Sequence, residues 1–180
     1  MIAANDCATE RGCSMKSRYA IATIILLSLS AAAHGQVPHI VGTWKLNKEA
    51  SQFLGPPPQS EVRRYDVADN GYLVGLAVFI DARGNPGFLQ FAAKSDGQDS
   101  AEYSSGVLAT FQIAGTPTPL AYSEKPVDDR TIEWFDKFDG RLTASGTRQV
   151  SEDGRTLTIV GEIPDGQGNT RRLRLVYDRQ

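Results

Sequence analysis

The sequence predicts an all-β protein: an antiparallel up-and-down β-barrel of about eight to ten strands with one short helical turn, behind an N-terminal signal-peptide helix. Three observations carry that prediction. Apolar and polar residues alternate over short runs, as half-buried strands require. Clusters of Gly, Asp, Asn and Pro separate those runs at intervals of about ten residues. The 17 Gly and 9 Pro exceed what a helix bundle of 180 residues tolerates, because Gly adds unfolded-state entropy and Pro removes a backbone donor.

The leader comes first. Tyr19 to Ala33 reads YAIATIILLSLSAAA without a charge, preceded by Arg11, Lys16 and Arg18 and followed by small residues. That order is expected of a secretory signal peptide over 1–35, and the segment falls short of the roughly 20 apolar residues a membrane span needs. Cleavage after Ala33 or after Gly35 suits signal peptidase. Met15-Lys16-Ser17-Arg18 forms a compact basic start by itself, which offers Met15 as an alternative initiator to Met1. Both cysteines, Cys7 and Cys13, lie upstream of it, so the processed chain would hold no disulfide. The expectation is a secreted or periplasmic protein with no stable membrane span after cleavage.

The remaining 36–180 form one expected domain of 145 residues, long enough to bury roughly 68–70% of its unfolded surface. Strands are expected at 41–47, 60–68, 71–80, 88–94, 107–114, 119–124, 131–137, 141–150, 155–163 and 170–178. The helical turn is expected over Lys48–Leu54, before the extended Gly55-Pro56-Pro57-Pro58. Hairpins are expected at Asp69-Asn70-Gly71, Asp81–Gly87, Ser95-Asp96-Gly97, Asp128-Asp129, Asp139-Gly140, Glu152-Asp153-Gly154 and Asp165–Asn169, where Gly, Asn and Asp tolerate positive φ. Alternation turns Leu142, Ala144, Gly146, Arg148 and Val150 inward on one strand. On the last two it turns Leu157, Ile159, Gly161 and Ile163, then Leu173, Leu175 and Tyr177, inward. One-sided strands bury that face best in a closed barrel, although a two-sheet sandwich would show a similar pattern.

Gly42-Thr43-Trp44-Lys45-Leu46-Asn47 resembles the Gly-x-Trp opening of the lipocalin and fatty-acid-binding (calycin) superfamily, where the Trp caps the closed end of the barrel. Phe138-Asp139-Gly140 through Thr147-Arg148 to Val176-Tyr177-Asp178-Arg179 resembles the last strands of a fatty-acid-binding barrel. The whole of 36–180 also resembles a family of secreted bacterial lipocalin-like proteins of unestablished activity. The resemblance implies a barrel able to hold a small apolar ligand. It departs at one point: the Arg two residues before the final Tyr is here Leu175, with Arg174 one step out of register and so on the opposite face. The long helical lid of the cytosolic carriers is also missing, since Pro56-Pro57-Pro58 ends any helix there.

With 19 Lys+Arg against 21 Asp+Glu and a net charge of −2, the chain lacks the basic footprint of a nucleic-acid binder. His39 and His34 are its only histidines, there is no Gly-x-Ser-x-Gly elbow, and 36–180 holds no Cys. No catalytic residue, metal site or cofactor is therefore expected. Asp81–Asn85 and Asp165–Asn169 lack the ligand spacing of calcium loops and read as hairpins. Arg171, Arg172, Arg174 and Arg179 read as a solvated strand face.

Arg148 is the residue to single out, because a guanidinium on an apolar face must be paired or face a wet cavity. It is either a clamp for an anionic head group or a rim residue paired with an acidic neighbour. Tyr65, Phe111, Trp134 and Tyr177 are the candidates to line a cavity, with core packing as the alternative. The small residues Gly75, Ala77, Ala92, Ala93, Ala144, Gly146 and Gly161 point to some empty interior volume. The expected function is non-enzymatic binding or transport of a small hydrophobic or anionic amphipathic ligand. The alternative is a filled barrel serving as an envelope structural or protein-interaction module.

Overall fold

The computed structural model of the chain describes residues 39–105 and 119–180. The leader, the strand expected at 107–114 and Phe111 lie outside the described residues. Ten antiparallel strands are seen: β1 Gly42–Gln52, β2 Ser60–Val67, β3 Leu73–Ile80, β4 Pro86–Ala93, β5 Ser100–Ser104, β6 Leu120–Pro126, β7 Thr131–Phe138, β8 Arg141–Val150, β9 Thr156–Pro164 and β10 Thr170–Arg179. Each pairs with the next in sequence, and β1 also pairs with β10, closing the barrel. The sandwich alternative is thereby replaced by a ring without free edges. No helix among the described residues is long and apolar enough to cross a membrane.

Turn chemistry sets the register. At Asp139-Gly140 both residues take positive φ, 49° and 73°, the geometry that lets a two-residue hairpin match strand twist. Asp81 and Asp165 each accept two backbone N–H bonds from two and four residues ahead, so their carboxylates are used inside their own turns. The reading of these loops as hairpins rather than calcium sites follows the same logic.

Two local expectations are corrected. The helical turn over Lys48–Leu54 is strand with a bulge: from Asn47 to Gln52 β1 takes five steps while β10 takes only two, Val176 to Arg174. Helix propensity loses here because Asn47 folds the backbone onto itself locally. Its side-chain oxygen accepts from Ala50 N at 3.1 Å and its carbonyl accepts from Ser51 Oγ at 2.6 Å. Arg171 and Arg174 then hold the bulged chain by donating to Leu54 O and Ala50 O. Leu142 is also not inside, because a second bulge between Asp136 and Lys137 skips Thr143 and leaves Leu142 exposed. The short β5 was not expected from the sequence; Ser-Ala-Glu-Tyr-Ser offers little β-branched or apolar signal.

The core follows the alternation. Trp44, Tyr65, Leu73, Phe91, Ala93, Ile132, Val150, Leu157, Ile159 and Tyr177 are buried in one cluster. Trp44 plugs one end of the barrel, donating its indole N–H to Ile40 O at 2.8 Å. The Arg179 guanidinium lies 4.2 Å from the Trp44 ring centre and donates to Val41 O, His39 O and Gly154 O, tying that end together. Gly42 is required beside it: φ is +141°, and a Cβ would fall 2.6 Å from Arg179 Nη1. Arg179 is thus exposed, as expected, and also clamps that end of the barrel.

The inward-facing glycines are filled, not empty. A Cβ at Gly75 would fall 2.4 Å from Phe91 Cζ, and one at Gly146 would meet Trp134 and the Val160 carbonyl. These positions make room for aromatic rings, so most small residues do not mark a void. Ala144 and Ala77 are the exceptions and line open volume.

Candidate functional site

Above the Trp44 plug the interior changes from apolar to polar. Alternation from Val150 places Arg148 inward on β8, fully within the barrel. Strand β7 separates it from β6, whose Tyr122 and Glu124 also face inward. Arg148 Nη1 donates to the Tyr122 hydroxyl and reaches Glu124 Oε2 at 3.3 Å. Tyr122 donates to the same carboxylate oxygen, and Ser95 Oγ donates to Glu124 Oε1 at 2.7 Å. Four rings surround the guanidinium carbon, with centres at 5.0 Å for Phe91 and Tyr122, 5.5 Å for Tyr65 and 5.8 Å for Trp134. Phe91 and Tyr122 stack at 3.8 Å. Burial opposes the charge on Arg148, but the oxygens of Tyr122, Tyr65 and Glu124 outweigh it and hold the group above its usual pKa. Arg148 thus pairs with an acid, as one of its two readings expected, but deep inside the barrel and not at the rim.

A second group sits beside the first. Arg63 Nε donates to Glu61 Oε1 at 2.7 Å and to the Tyr177 hydroxyl at 2.9 Å, and Tyr177 donates to Glu61 at 2.8 Å. Burial works against the Arg63 charge as well, and Tyr177 and Glu61 more than compensate. The guanidinium that β10 does not supply two residues before Tyr177 therefore arrives from β2. Leu175 occupies that place on β10 and lines open volume, while Arg174 points outward to the β1 bulge.

A third group is acidic. Burial, then the neighbouring Asp136, pushes the Glu102 carboxyl up to about 8, and burial also raises Asp136. Two carboxyls in one dry space share protons because both cannot ionise there cheaply.

The three groups enclose a chamber of about 180 Å³. Arg63, Tyr122, Trp134, Asp136 and Arg148 form its polar side; Leu89, Ala144, Ile159, Ile163, Leu173 and Leu175 form its apolar wall. A second cavity of about 270 Å³, lined by Pro56, Pro58, Phe79 and Ala82 among others, shares Arg63 and Leu89 with it as lining. Three polar atoms of the interior are buried without a hydrogen-bond partner among the described residues: Trp134 Nε1 and Arg148 Nε, whose side chains line the chamber, and Tyr65 OH, whose ring lies beside Arg148. The Tyr65 hydroxyl is near enough to Arg63 to stabilise its charge, yet it has no partner at hydrogen-bond geometry. Each orphaned donor costs about 1–3 kcal/mol, and folded proteins keep few of them.

Of the residues singled out in the sequence, Arg148, Tyr65 and Trp134 come together, and Tyr177 belongs to the adjoining group. Glu61, Arg63, Glu102, Glu124 and Asp136 were not singled out. His39 is exposed, 3.8 Å from Asp129. Among the described residues no three His, Cys, Asp or Glu side chains gather in a way that could hold a metal ion.

The fold and this interior define a closed, ten-stranded antiparallel β-barrel with a polar chamber inside. Among solved structures, a mutant of the fluorescent protein UnaG is similar at TM-score 0.50 and 15% identity, over 77% of this chain and 94% of that one. Wild-type UnaG is similar at TM-score 0.46 and 13% identity, over 78% and 96% of the two chains. At that identity the likeness is one of fold. No protein-family model and no curated protein matches the chain.

Proposed function

We propose that this barrel binds and carries a small hydrophobic or amphipathic molecule, without catalysing a reaction on it. The observation that carries this reading is the chamber: an apolar wall faces a polar side whose Trp134 and Arg148 each carry a buried donor without a partner. A filled barrel has no reason to keep such donors, whereas a binding site uses a few placed polar groups within an apolar cavity. At about 180 Å³ the chamber suits a small ligand. The test is to incubate the purified protein with a lipophilic extract and weigh it by native mass spectrometry. A retained adduct, lost when Trp134 or Ala144 is enlarged or reshaped, supports the reading; a bare protein mass under all loading conditions refutes it.

One observation favours the alternative of an interaction module. The outer face of β2–β4 carries an apolar depression of about 540 Å³ lined by Val62, Val78, Ile80 and Phe88, with Val78 46% exposed. A protein with no ligand and with concentration-dependent association would support that reading instead.

Export is part of the proposal, and it rests on the leader-like run Tyr19–Ala33 and the resemblance to secreted bacterial proteins. Sequencing the mature N-terminus from fractionated cells tests it: a chain starting at His34 or Gln36 in the periplasm or medium supports export. A full-length cytoplasmic chain overturns it.

A further inference from the structure

The charges of the interior are balanced before any ligand enters. Arg148 faces Glu124 at 3.3 Å and Arg63 faces Glu61 at 2.7 Å, each cation with its own carboxylate. Glu102 and Asp136 add further acid to the same interior, and Asp136 lines the chamber itself. A carboxylate ligand would therefore bring negative charge into a low-dielectric space that holds no surplus cation among the described residues. What the chamber does leave over is donors. Trp134 and Arg148 line it, and their Nε1 and Nε can only donate; the Tyr65 hydroxyl, next to them rather than on the chamber wall, can donate as well. All three belong to the aromatic box around one guanidinium.

Resting on the carrier reading above, we propose that the ligand presents an uncharged hydrogen-bond acceptor, a ketone- or amide-type carbonyl, on a compact apolar body, and that the barrel discriminates against free carboxylates. The carbonyl oxygen takes the donors that the protein leaves unpaired, and the apolar body lies against Leu89, Ile159, Ile163, Leu173 and Leu175. Affinity then comes from burial and specificity from satisfying the orphaned N–H and O–H groups, because a ligand without an acceptor leaves them unpaired.

The test uses three probes of one size on the full chain, by titration calorimetry at pH 7: butyrophenone with a neutral carbonyl, 4-phenylbutyrate with a carboxylate, and butylbenzene with neither. The expected result is that butyrophenone binds about tenfold or more tightly than either of the others, the gain of one or two well-made hydrogen bonds. Trp134→Phe should weaken butyrophenone by about 3- to 10-fold more than it weakens butylbenzene, since only the ketone loses a hydrogen bond with the indole. Glu124→Gln, which leaves the Arg148 charge unbalanced, should move the preference towards 4-phenylbutyrate; if that variant does not fold, Trp134→Phe carries the test alone. Phenylbutyrate binding as tightly as the ketone overturns the inference and leaves the carrier reading standing, and so does butylbenzene binding as tightly as the ketone. If none of the three binds, the inference is overturned, and the extract experiment decides whether the carrier reading falls with it.

Discussion

Arg148 on β8 and Glu124 on β6 meet at 3.3 Å across the inside of the barrel, with β7 lying between their strands in the sheet. The pair reaches past β7 from within, so it couples two strands that share no backbone hydrogen bonds with each other. Buried ion pairs are costly to break and cheap to replace whole, since removing one partner strands the other charge.

Arg148→Met should therefore destabilise by about 3–5 kcal/mol, while Arg148→Met combined with Glu124→Met should recover most of that loss. Urea unfolding of the two variants decides the matter. A double variant no more stable than the single one would refute the coupling.

Gly42→Ala should loosen the closed end. The new Cβ would lie 2.6 Å from Arg179 Nη1 at a φ of +141°, so the guanidinium must leave the Trp44 ring or the backbone must shift. A loss of about 1–3 kcal/mol is expected from such a position. Near-ultraviolet circular dichroism should report the changed surroundings of the indole, and an unaltered spectrum with unaltered stability would contradict the clamp.

Gly75→Ala overpacks the aromatic box, because the added methyl would lie 2.4 Å from Phe91 Cζ. The expected cost is about 1–3 kcal/mol, and Phe91→Leu in the same chain should relieve part of it. Additive losses in the double variant would show that the two positions do not compete for the same space.

Stability should peak on the acid side of neutrality. Asp81, Asp128, Asp153 and Asp165 are held below the ordinary carboxylate range, chiefly by hydrogen bonds within their turns, so their contribution is present at neutral pH and lost as pH falls through those depressed values. Glu102 runs the other way. Its carboxyl is pushed up to about 8 by burial and by Asp136, so its contribution is full below the ordinary Glu pKa and is lost as pH rises towards 8. One such proton gives a slope of up to about 1.4 kcal/mol per pH unit. Denaturation midpoints from pH 3 to 9 should fall between pH 5 and 8, and Glu102→Gln should flatten that limb. A midpoint that rises over this interval would rule the assignment out.

Alternation made much of this architecture legible. Leu157, Ile159, Leu175 and Tyr177 face inward as the period of two requires, and the same rule found Arg148. That rule also held information left unused. Glu61 and Arg63 stand four and two residues before the inward Tyr65, Glu124 stands two after Tyr122, and Asp136 two after Trp134, each on its neighbour's face. Charged residues read as outward by habit, yet parity placed them inside. What parity could not give was partnership: Arg63 meets Tyr177 from 114 positions away, and only the closed ring brings them together. The β1 bulge was hidden for a different reason, since Lys48-Glu49-Ala50 favours a helix until the Asn47 turn and the pull of Arg171 and Arg174 are known.

Nine of the ten strand pairings join neighbours along the chain, and β1 with β10 is the exception. That single clasp between the two most distant strands is what turns a curled meander into a vessel. The last-made strand thus decides whether there is an inside at all. A chain halted before it would display its acids and arginines to water along two raw borders, with stickiness in place of selectivity.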